Sequence, residues 1–529
     1  MSGDHDLRAN RWGVLGIIML GTFMAVLDSS IVNVALPHMM STFGVDREQI
    51  EWVATGFMMA SAVVMPFTGW LTHRVSYKAL YLSGLLLFTT ASAACAMAWS
   101  YETLIAARIL QGIGGGAMQP IGMAIVAELF EPHERGRALG IWGMGIMAGP
   151  AIGPTLGGYL TDAFSWRTIF SINLPFGALT LIAGMIVMRP LRARGGKQAF
   201  DVFGFIFLSM ALVAALTALS NGQVKGWESD YIRLCEVITV VGVVMFVAVE
   251  LAVDHPLLDL RLLINRNYLL SILLAIFRAV GLFGSIFLFP IFLQNQIGYT
   301  PVQAGIWMLP NAFAVGLTMP IAGRLADRYP PAVLSTIGAI LVGASLIIFG
   351  MLDPLSDWTM LVLPQIGRGA GLALMMAPLM AAALNAVPRH ELPMASSFLN
   401  VFQNVGGSLG IALLNTIVTD SIHIHAVRLG EEFPVQSQRF DVRLGLRALG
   451  MTFHHEAAMV ANPHSRIVFA ASQGIARKAV VLGFENGFVI AGFILLSAIP
   501  LCLLLKPSAH HIQEDEKAGG AVEAEFVAE

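Results

Sequence analysis

The segment PFTGWLTHR at residues 66–74 recurs as PIAGRLADR at residues 320–328. Three further motif pairs repeat in the same order: Pro37 and Gly44 with Pro290 and Gly298, RILQGIGG (108–115) with QIGRGAGL (365–372), and GPAIGP (149–154) with GGSLGI (406–411). The spacing within every pair is about 255 residues, and a constant period of this kind indicates an internal duplication. The chain is therefore predicted to contain two copies of one structural unit.

The composition indicates that this unit lies in a membrane. Of the 529 residues, 56% are hydrophobic and 12% are charged, and the mean hydropathy is +0.72. An ordinary soluble domain carries about 25% charged residues, so a soluble globular protein is excluded. The balance of 31 basic and 34 acidic residues gives no reason to expect a nucleic-acid partner. Cys95, Cys235 and Cys502 are too far apart in sequence to suggest a disulfide framework or a metal site.

Apolar runs long enough to cross a bilayer, about 20 residues each, define the fold class. Fourteen such runs predict an all-α membrane protein built from two six-helix halves plus two inserted helices. The predicted segments are an N-terminus (1–11), a first half (12–189), a linker (190–200), the inserted helices (201–252), a second half (253–505) and a disordered tail (506–529). The second half includes a long extracytoplasmic loop at 421–478, and the last helix is predicted to begin near Val480. Lys and Arg concentrate in the short loops on one side, which predicts that both termini are cytoplasmic.

Asp28 is the most informative single residue, because it lies inside the first apolar run. An ionisable group there costs roughly 2.5–3.5 kcal/mol on insertion scales, so it normally faces a cavity or a partner. Arg108, in the fourth run, lies at a similar depth in the same half. Two interpretations follow. The carboxylate either couples transport to protons under the influence of the nearby cation, or forms a static pair that orders the bundle.

Other polar residues inside the runs are predicted to line a central cavity that binds substrate. Arg108 and Gln111 are three residues apart and share a helix face, and the second copy presents the same two residue types in reverse order. Arg278 has no obvious acidic partner in its half, so it is predicted either to bind anionic substrate groups or to pair with Asp28 in one conformation. The predicted cavity residues are Asn33, Gln111, Arg278, Gln365 and Arg368.

Four segments carry a resemblance to a known family: LDSSIVNVALP (27–37), LIAARILQGIGGG (104–116), GIMAGPAIGPTLGG (145–158) and WRTIFSINLPFG (166–177). Together they resemble the major facilitator superfamily, and specifically its fourteen-helix drug:proton antiporters of the EmrB/QacA type. The resemblance implies a multi-pass inner-membrane protein that exports amphipathic compounds, driven by a proton gradient and without a bound cofactor. In two-membrane bacteria it also implies a periplasmic adaptor and an outer-membrane channel as partners, with the loop at 421–478 as the candidate contact.

Small residues form a stripe on the fifth predicted helix. Gly145, Gly149, Gly153 and Gly157 recur every four residues, so that another helix can approach closely, and Pro150 and Pro154 beside them weaken the local hydrogen bonding. The simplest interpretation is tight static packing. The resemblance makes this segment the antiporter motif, which implies a rocking and sealing surface between the two halves.

The loop after the second predicted helix departs from the family pattern. The resemblance predicts cytoplasmic gating residues in both copies of this loop: Gly69 and Arg74 in the first, and Gly323, Asp327 and Arg328 in the second. In the first copy His73 stands where the family has an aspartate, whereas Asp327 keeps the acidic position. The second copy is therefore predicted to carry more of the gating. His73 is interpreted as a solvated loop histidine or as a pH-sensitive gating residue.

Motifs for other kinds of chemistry are missing from the sequence. It contains no phosphate-binding G-x-x-x-x-G-K-[ST] segment, no hydrolase elbow and no HExxH, so we predict neither ATP-driven transport nor an enzyme. The histidines at 423, 425, 454, 455 and 464 lack helical i, i+4 spacing and cysteine partners, so no metal site is predicted. Two other functions remain open: an exporter dedicated to an endogenous metabolite such as a siderophore or fatty acid, and a transport-inactive sensor or scaffold.

Overall fold

A computed structural model describes residues 10–190, 199–254, 256–352, 358–432 and 463–506. Within these ranges the chain forms fourteen helices of at least 15 residues and no strands. In chain order they are α1 (Arg11–Phe43), α2 (Trp52–Leu71), α3 (Tyr77–Ala96), α4 (Tyr101–Leu129), α5 (Arg135–Ala163), α6 (Asn173–Val187), α7 (Val202–Lys225), α8 (Asp230–Ala252), α9 (Arg266–Phe292), α10 (Pro301–Ala326), α11 (Pro331–Phe349), α12 (Trp358–Asn385), α13 (Leu392–Glu432) and α14 (Pro463–Leu496).

Length and hydropathy identify the helices that can cross a membrane. The described residues hold 12 of them, or up to 13 when the two parts of α5 count as one span. These parts, Arg135–Pro150 and Ile152–Ala163, are inclined by 41° to each other. The bend lies between Pro150 and Ile152, in the turn before Pro154, and Pro154 cannot donate a hydrogen bond to the carbonyl of Pro150. The all-helical membrane fold predicted from the apolar runs is confirmed, and the predicted count of fourteen spans is compatible with these helices.

Local sequence signals explain where several helices begin and end. Ser100 starts α4 and Thr300 starts α10, each in a capping box with the residue three positions later. Gly44 ends α1 at a φ of 65°, and Gly298 ends the helical turn after α9 at a φ of 82°. These two glycines are the repeated pair found in the sequence, and the left-handed backbone conformation explains why glycine stands at both positions.

The long loop predicted at 421–478 begins later and ends earlier than expected. Helix α13 continues to Glu432, and α14 begins at Pro463 rather than near Val480. The hydropathy falls at these positions because they lie beyond the apolar core of each span, but the helical backbone persists. The central part of the loop, with His454 and His455, lies outside the described residues, as do 191–198 of the linker and the tail from residue 507.

The two halves share a hydrophobic core at one end of the bundle. We call this the basic end, because it carries Arg11, Arg74, Arg135, Arg324 and Arg328 together with both ends of the described chain. The shared core includes Phe130, which directly follows α4, together with Met319 of α10 and Phe398 of α13. At the opposite end α1 to α6 have a separate core around Trp166, while a further core around Phe292 has all its buried members in the second half. This conformer is therefore closed at the basic end.

Candidate functional site: a buried carboxylate and the contact between the halves

Asp28 lies on α1 at the centre of a buried polar cluster, with 1% of its surface exposed. Its Oδ2 accepts a hydrogen bond from Arg108 Nη1 at 2.5 Å. Its Oδ1 accepts from Gln111 Nε2 at 2.8 Å and from Asn173 Nδ2 at 2.7 Å. Three helices, α1, α4 and α6, thus converge on one carboxylate. Both oxygens of the carboxylate are therefore satisfied by side-chain donors, one of them a charge-assisted bond.

Arg108 is held by groups besides the carboxylate. Its Nε donates to the backbone oxygen of Val53 at 2.9 Å, and its Nη1 also donates to Gln111 Oε1 at 2.7 Å. The guanidinium carbon lies 4.4 Å from the centroid of the Phe57 ring, a distance suited to a cation–π contact. Its Nη2 is buried and has no hydrogen-bond partner among the described residues. The guanidinium is therefore held by contacts that do not depend on Asp28, and one of its N–H groups has no acceptor among the described residues.

Two members of this cluster had no predicted role. Asn173 lies in the quoted segment WRTIFSINLPFG, and Ser92 lies in the third apolar run. The Ser92 hydroxyl accepts from Gln111 Nε2 at 2.6 Å and from Asn173 Nδ2 at 3.2 Å. An asparagine within a membrane span is a usable signal, because an amide there needs a partner. A serine is not, because it can bond to the preceding turn of its own helix.

The residues predicted to line a cavity are mostly buried within protein in this conformer. Gln365 and Arg368 are 0% exposed, and Arg368 Nη2 donates to Gln365 Oε1 at 2.7 Å. Gln111 belongs to the Asp28 cluster instead of facing open space. Arg278 is 3% exposed and has no hydrogen bond or ion pair with the rest of the described chain, so a contact with Asp28 is not formed here. Asn33 alone of the five is exposed, and the substrate-binding role of the set stays a prediction.

The glycine stripe of α5 does not form the surface between the halves. It packs against α1 of its own half, where an added Cβ would meet α1 within 3.0 Å at each position: Gly145 at Met19, Gly149 at Leu27, Gly153 at Ser30 and Gly157 at Ile31. The implied location between the halves was therefore wrong. Small residues allow a close approach but do not specify which helix approaches. Leu27 and Ser30 flank Asp28, so the stripe instead fixes the helix that carries the buried carboxylate.

The close contact between the halves uses a different set of glycines at the basic end. A Cβ at Gly140 on α5 would lie 2.6 Å from the backbone oxygen of Met319 on α10, and one at Gly323 would lie 2.5 Å from the backbone oxygen of Gly136. On the other side of the bundle, a Cβ at Gly69 would lie 3.2 Å from the Cα of Met394 on α13. The predicted gating positions Gly69 and Gly323 thus both lie where the halves meet.

Asp327 joins the halves by capping α5. Its Oδ1 accepts from the backbone N–H of Gly136 at 2.7 Å, and its Oδ2 accepts from that of Arg137 at 2.9 Å. Burial raises the pKa of Asp327 from 3.8 to about 7, and the charge of Glu134 acts in the same direction, against the two N–H groups and the charge of Arg137. The carboxylate borders a cleft of about 570 Å³ lined by charged side chains of both halves: His133, Glu134, Arg137, Arg324 and Arg328.

In the first copy of the loop, His73 makes no equivalent bond to the described residues. His73 is half-buried, and its Nδ1 has no hydrogen-bond partner among the described residues. Burial lowers the pKa of His73, and the nearby His390 lowers it further. Arg74 is exposed and stacks on Trp70 with its guanidinium carbon 4.7 Å from the ring centroid, and Arg328 is also exposed. The contact between the halves is therefore electrostatically asymmetric.

This asymmetry gives a pH dependence whose sign can be worked out. The closed basic end binds the proton of Asp327 more tightly than an open end would, where water restores the ordinary pKa. The closed conformer is therefore favoured as the pH at this end falls below about 7, and loses that advantage as the pH rises through about 7. Asp327→Asn removes the titrating group and leaves only one oxygen to accept from the two N–H groups, so it should slow transport substantially and abolish this pH dependence. His73→Ala should have little effect on the transport rate.

The measurement is the transport rate of the two variants and the wild type against pH at the basic end. The wild type should accelerate as the pH rises through about 7, and Asp327→Asn should be slow at every pH. Equal losses in both variants would show that the first loop also takes part in gating and that the role of His73 was misjudged.

Comparisons with known proteins agree with this architecture. A family model described as Major Facilitator Superfamily matches residues 18–411. The chain belongs to the major facilitator superfamily. It is 30% identical to the multidrug export protein EmrB of Escherichia coli K12 over 493 residues, covering 93% of this chain and 94% of that protein. It is 34% identical to a multidrug resistance protein B homolog of Mycobacterium tuberculosis over 408 residues, covering 76% of this chain and 75% of the relative.

These relatives confirm the predicted membership of the EmrB/QacA-type family, whose members are multi-pass membrane transporters rather than enzymes. The fold is also shared with a solved structure, the proton:xylose symporter XylE. That structure aligns with a TM-score of 0.60 over 94% of this chain and 96% of its own, at 13% identity. At that identity the likeness concerns the fold alone.

The remaining histidines of the predicted outer loop form no metal centre in the part of the chain that the structure describes. His425 Nε2 lies 2.9 Å from Asn486 Nδ2, so it pairs α13 with α14. The candidate contact with an adaptor protein falls largely on residues 433–462, which lie outside the described ranges.

Proposed function

We propose that this transporter is a multidrug exporter of the inner membrane that expels amphipathic compounds in exchange for protons, with both termini cytoplasmic. The supporting observation is the Asp28 cluster: a fully buried carboxylate bound by one guanidinium and two amides. Relatives named as multidrug export and multidrug resistance proteins support the substrate class. The basic end faces the cytoplasm in this proposal, because Lys and Arg are enriched in cytoplasmic loops.

The mechanism follows from the two states available to Asp28. When the cluster is closed, as here, the ionised carboxylate is satisfied by Arg108, Gln111 and Asn173. Opening toward the outer side would admit water and a proton, which would weaken the attraction to Arg108 and loosen α1 from α4. Substrate entering from the other side would favour the ionised form and release that proton inward. Exchange then requires only that the substrate and the proton both act on the buried carboxyl group of Asp28.

Flux in proteoliposomes tests the proposal. Purified protein is reconstituted, a proton gradient is imposed, and the movement of a fluorescent lipophilic cation such as ethidium is recorded with and without a protonophore. Gradient-dependent movement that the protonophore abolishes is the expected result. Movement that is indifferent to the gradient would contradict proton coupling, and no movement of any of several amphipathic compounds would contradict multidrug export.

A further inference from the structure

The inserted helices contain a pair of buried carboxylates. Asp201 immediately precedes α7 and is 6% exposed, and Glu250 lies near the end of α8 and is 5% exposed. Asp201 Oδ1 accepts from the backbone N–H of Gly204 at 2.8 Å, which starts α7. Glu250 Oε1 accepts from the backbone N–H of Leu258 at 3.1 Å, which holds the connection after α8 against the hairpin.

The other oxygen of each carboxyl group has no such partner. Asp201 Oδ2 and Glu250 Oε2 are both buried, and neither makes a hydrogen bond within the described chain. The two groups are also close together, since Asp201 Oδ2 and Glu250 Oε1 both lie within 3.2 Å of the point where a Cβ on Gly204 would stand. Because glycine has no side chain, position 204 leaves free the space between the two carboxyl groups.

Among the described residues, no cation forms an ion pair with either carboxylate, and none is among the charges that act on Glu250. The charged group that acts on the pair besides its own members is Asp259, which is also acidic. Asp254 and Arg261 on the same connection are exposed, and the side chains that pack from α2 are aromatic, with Phe67 in contact with Phe205 of α7 at 5.8 Å between ring centroids. Neither carboxylate forms an ion pair with any described residue.

We propose that Asp201 and Glu250 form a proton-binding site that holds one proton between two carboxyl groups, separate from Asp28. Two carboxylates that share a buried site without a cation strongly disfavour double ionisation, and a proton between them supplies the donor that their free oxygens lack. The site does not depend on the proposed export function, because it follows from the contacts of the inserted helices alone.

The location of the pair connects it to the contact between the halves. The connection held by Glu250 continues to Asp259, whose backbone N–H donates to the sulfur of Met394 at 3.0 Å. Met394 is the residue of α13 that packs on Gly69 of α2. Loss of the proton would place two negative charges under this connection and weaken its docking. The inserted helices would then report the pH at the basic end to the surface where the halves separate.

Infrared spectroscopy tests the site, because a protonated carboxylic acid has a carbonyl stretch distinct from that of a carboxylate. The background is the double variant Asp28→Asn with Asp327→Asn, so that neither the Asp28 cluster nor the carboxyl group with a pKa of about 7 contributes to the band. In this background at neutral pH we expect a protonated-carboxyl band, its loss in Glu250→Gln, and its retention in Asp259→Asn, the neighbouring acid outside the pair. The glutamine can donate to Asp201, so the variant keeps the packing while removing the proton.

Isotope labelling gives a second measurement that needs no change at the pair. Carboxyl-labelled glutamate and carboxyl-labelled aspartate are incorporated separately, and one of the two must shift the band. A band that neither label shifts, a band that survives in Glu250→Gln, or one lost equally in Asp259→Asn would overturn the proposal. Absence of the band in the background protein would also overturn it, since both groups would then be ionised and held by a bound cation or by water.

Discussion

Asp28→Asn is expected to abolish both gradient-driven export and the release of protons on substrate binding. The amide keeps the size of the side chain and can still accept from Arg108, but it carries no proton that can be exchanged. Substrate binding should be retained at least in part, because no other charged group of the cluster changes. Asp28→Glu should keep some activity, since it preserves the titrating group and displaces it by one methylene.

Two measurements check this result in purified protein: flux in proteoliposomes, and proton release into weakly buffered detergent solution on adding substrate. Asp162→Asn is the matched control, because it makes the same chemical change at an exposed acid of α5, whose side chain is 67% exposed. Proton release from Asp28→Asn equal to that of the wild type would assign the coupling to another group.

Loss of folding must be separated from loss of coupling in this experiment. Removing one partner of a buried ion pair destabilises by roughly 3–5 kcal/mol in other proteins, because the remaining charge is left uncompensated. Arg108 is 0% exposed, so Asp28→Asn should lower the melting temperature. The double variant Asp28→Asn with Arg108→Gln removes both charges and should regain stability without regaining coupled transport. A double variant that recovers coupling would refute the role of Asp28.

The sequence predicted the fold well because the repeat and the hydropathy report directly on it. A helix that crosses the membrane needs about 20 apolar residues, so the order and approximate number of the spans can be predicted from one sequence. Hydropathy does not detect a helix that continues beyond the membrane. The predicted loop was therefore too long, because α13 and α14 extend into it. The glycines at 44 and 298 were found in the sequence only as part of the repeat, and the structure gives the reason, because the left-handed conformation at both positions strongly favours glycine.

The candidate site was only partly predictable, for a geometric reason. Counting residues along a helix gives the depth of a side chain, and depth placed Asp28 and Arg108 at one level. It does not give the direction in which a helix faces, so the contribution of Asn173 from α6 and the partner of the glycine stripe were not accessible. Both depend on which helices become neighbours, and that is decided by packing across the whole half.

Gly140→Leu is expected to have the second large effect, by preventing closure of the basic end. A Cβ at this position would lie 2.6 Å from the backbone oxygen of Met319 and 3.0 Å from the Cα of Gly323, and both neighbours are backbone atoms of the opposite half that cannot turn aside. The halves must therefore separate here. Because Gly140 packs between halves rather than within one, each half should remain folded while the closed conformer is depopulated.

A cysteine placed at the contact measures this change. Ser397 is 0% exposed and shares a hydrogen bond of 3.0 Å with Thr68 across the halves, and the three native cysteines are buried. Labelling of Ser397→Cys by a membrane-impermeant maleimide is measured in inside-out vesicles, because the basic end is proposed to face the cytoplasm, and should be slow in the otherwise unchanged protein. It should be at least about tenfold faster with Gly140→Leu, which corresponds to about 1.4 kcal/mol against closure. Export by Gly140→Leu, measured without the added cysteine, should fall by a similar factor or more.

Two further glycines make the test specific. Gly316→Leu on α10 is the control, because a Cβ there has no neighbour within 4 Å, and it should leave labelling and export unchanged. Gly149→Leu, which presses on Leu27 of α1, should lower the melting temperature and damage export without exposing the cysteine. Unchanged labelling in Gly140→Leu would show that the halves separate elsewhere. If Gly140→Leu and Gly149→Leu expose the cysteine equally, the glycine stripe of α5 belongs to the surface that moves between the halves. A side chain that disturbs only α1 has no other way to open the contact between the halves.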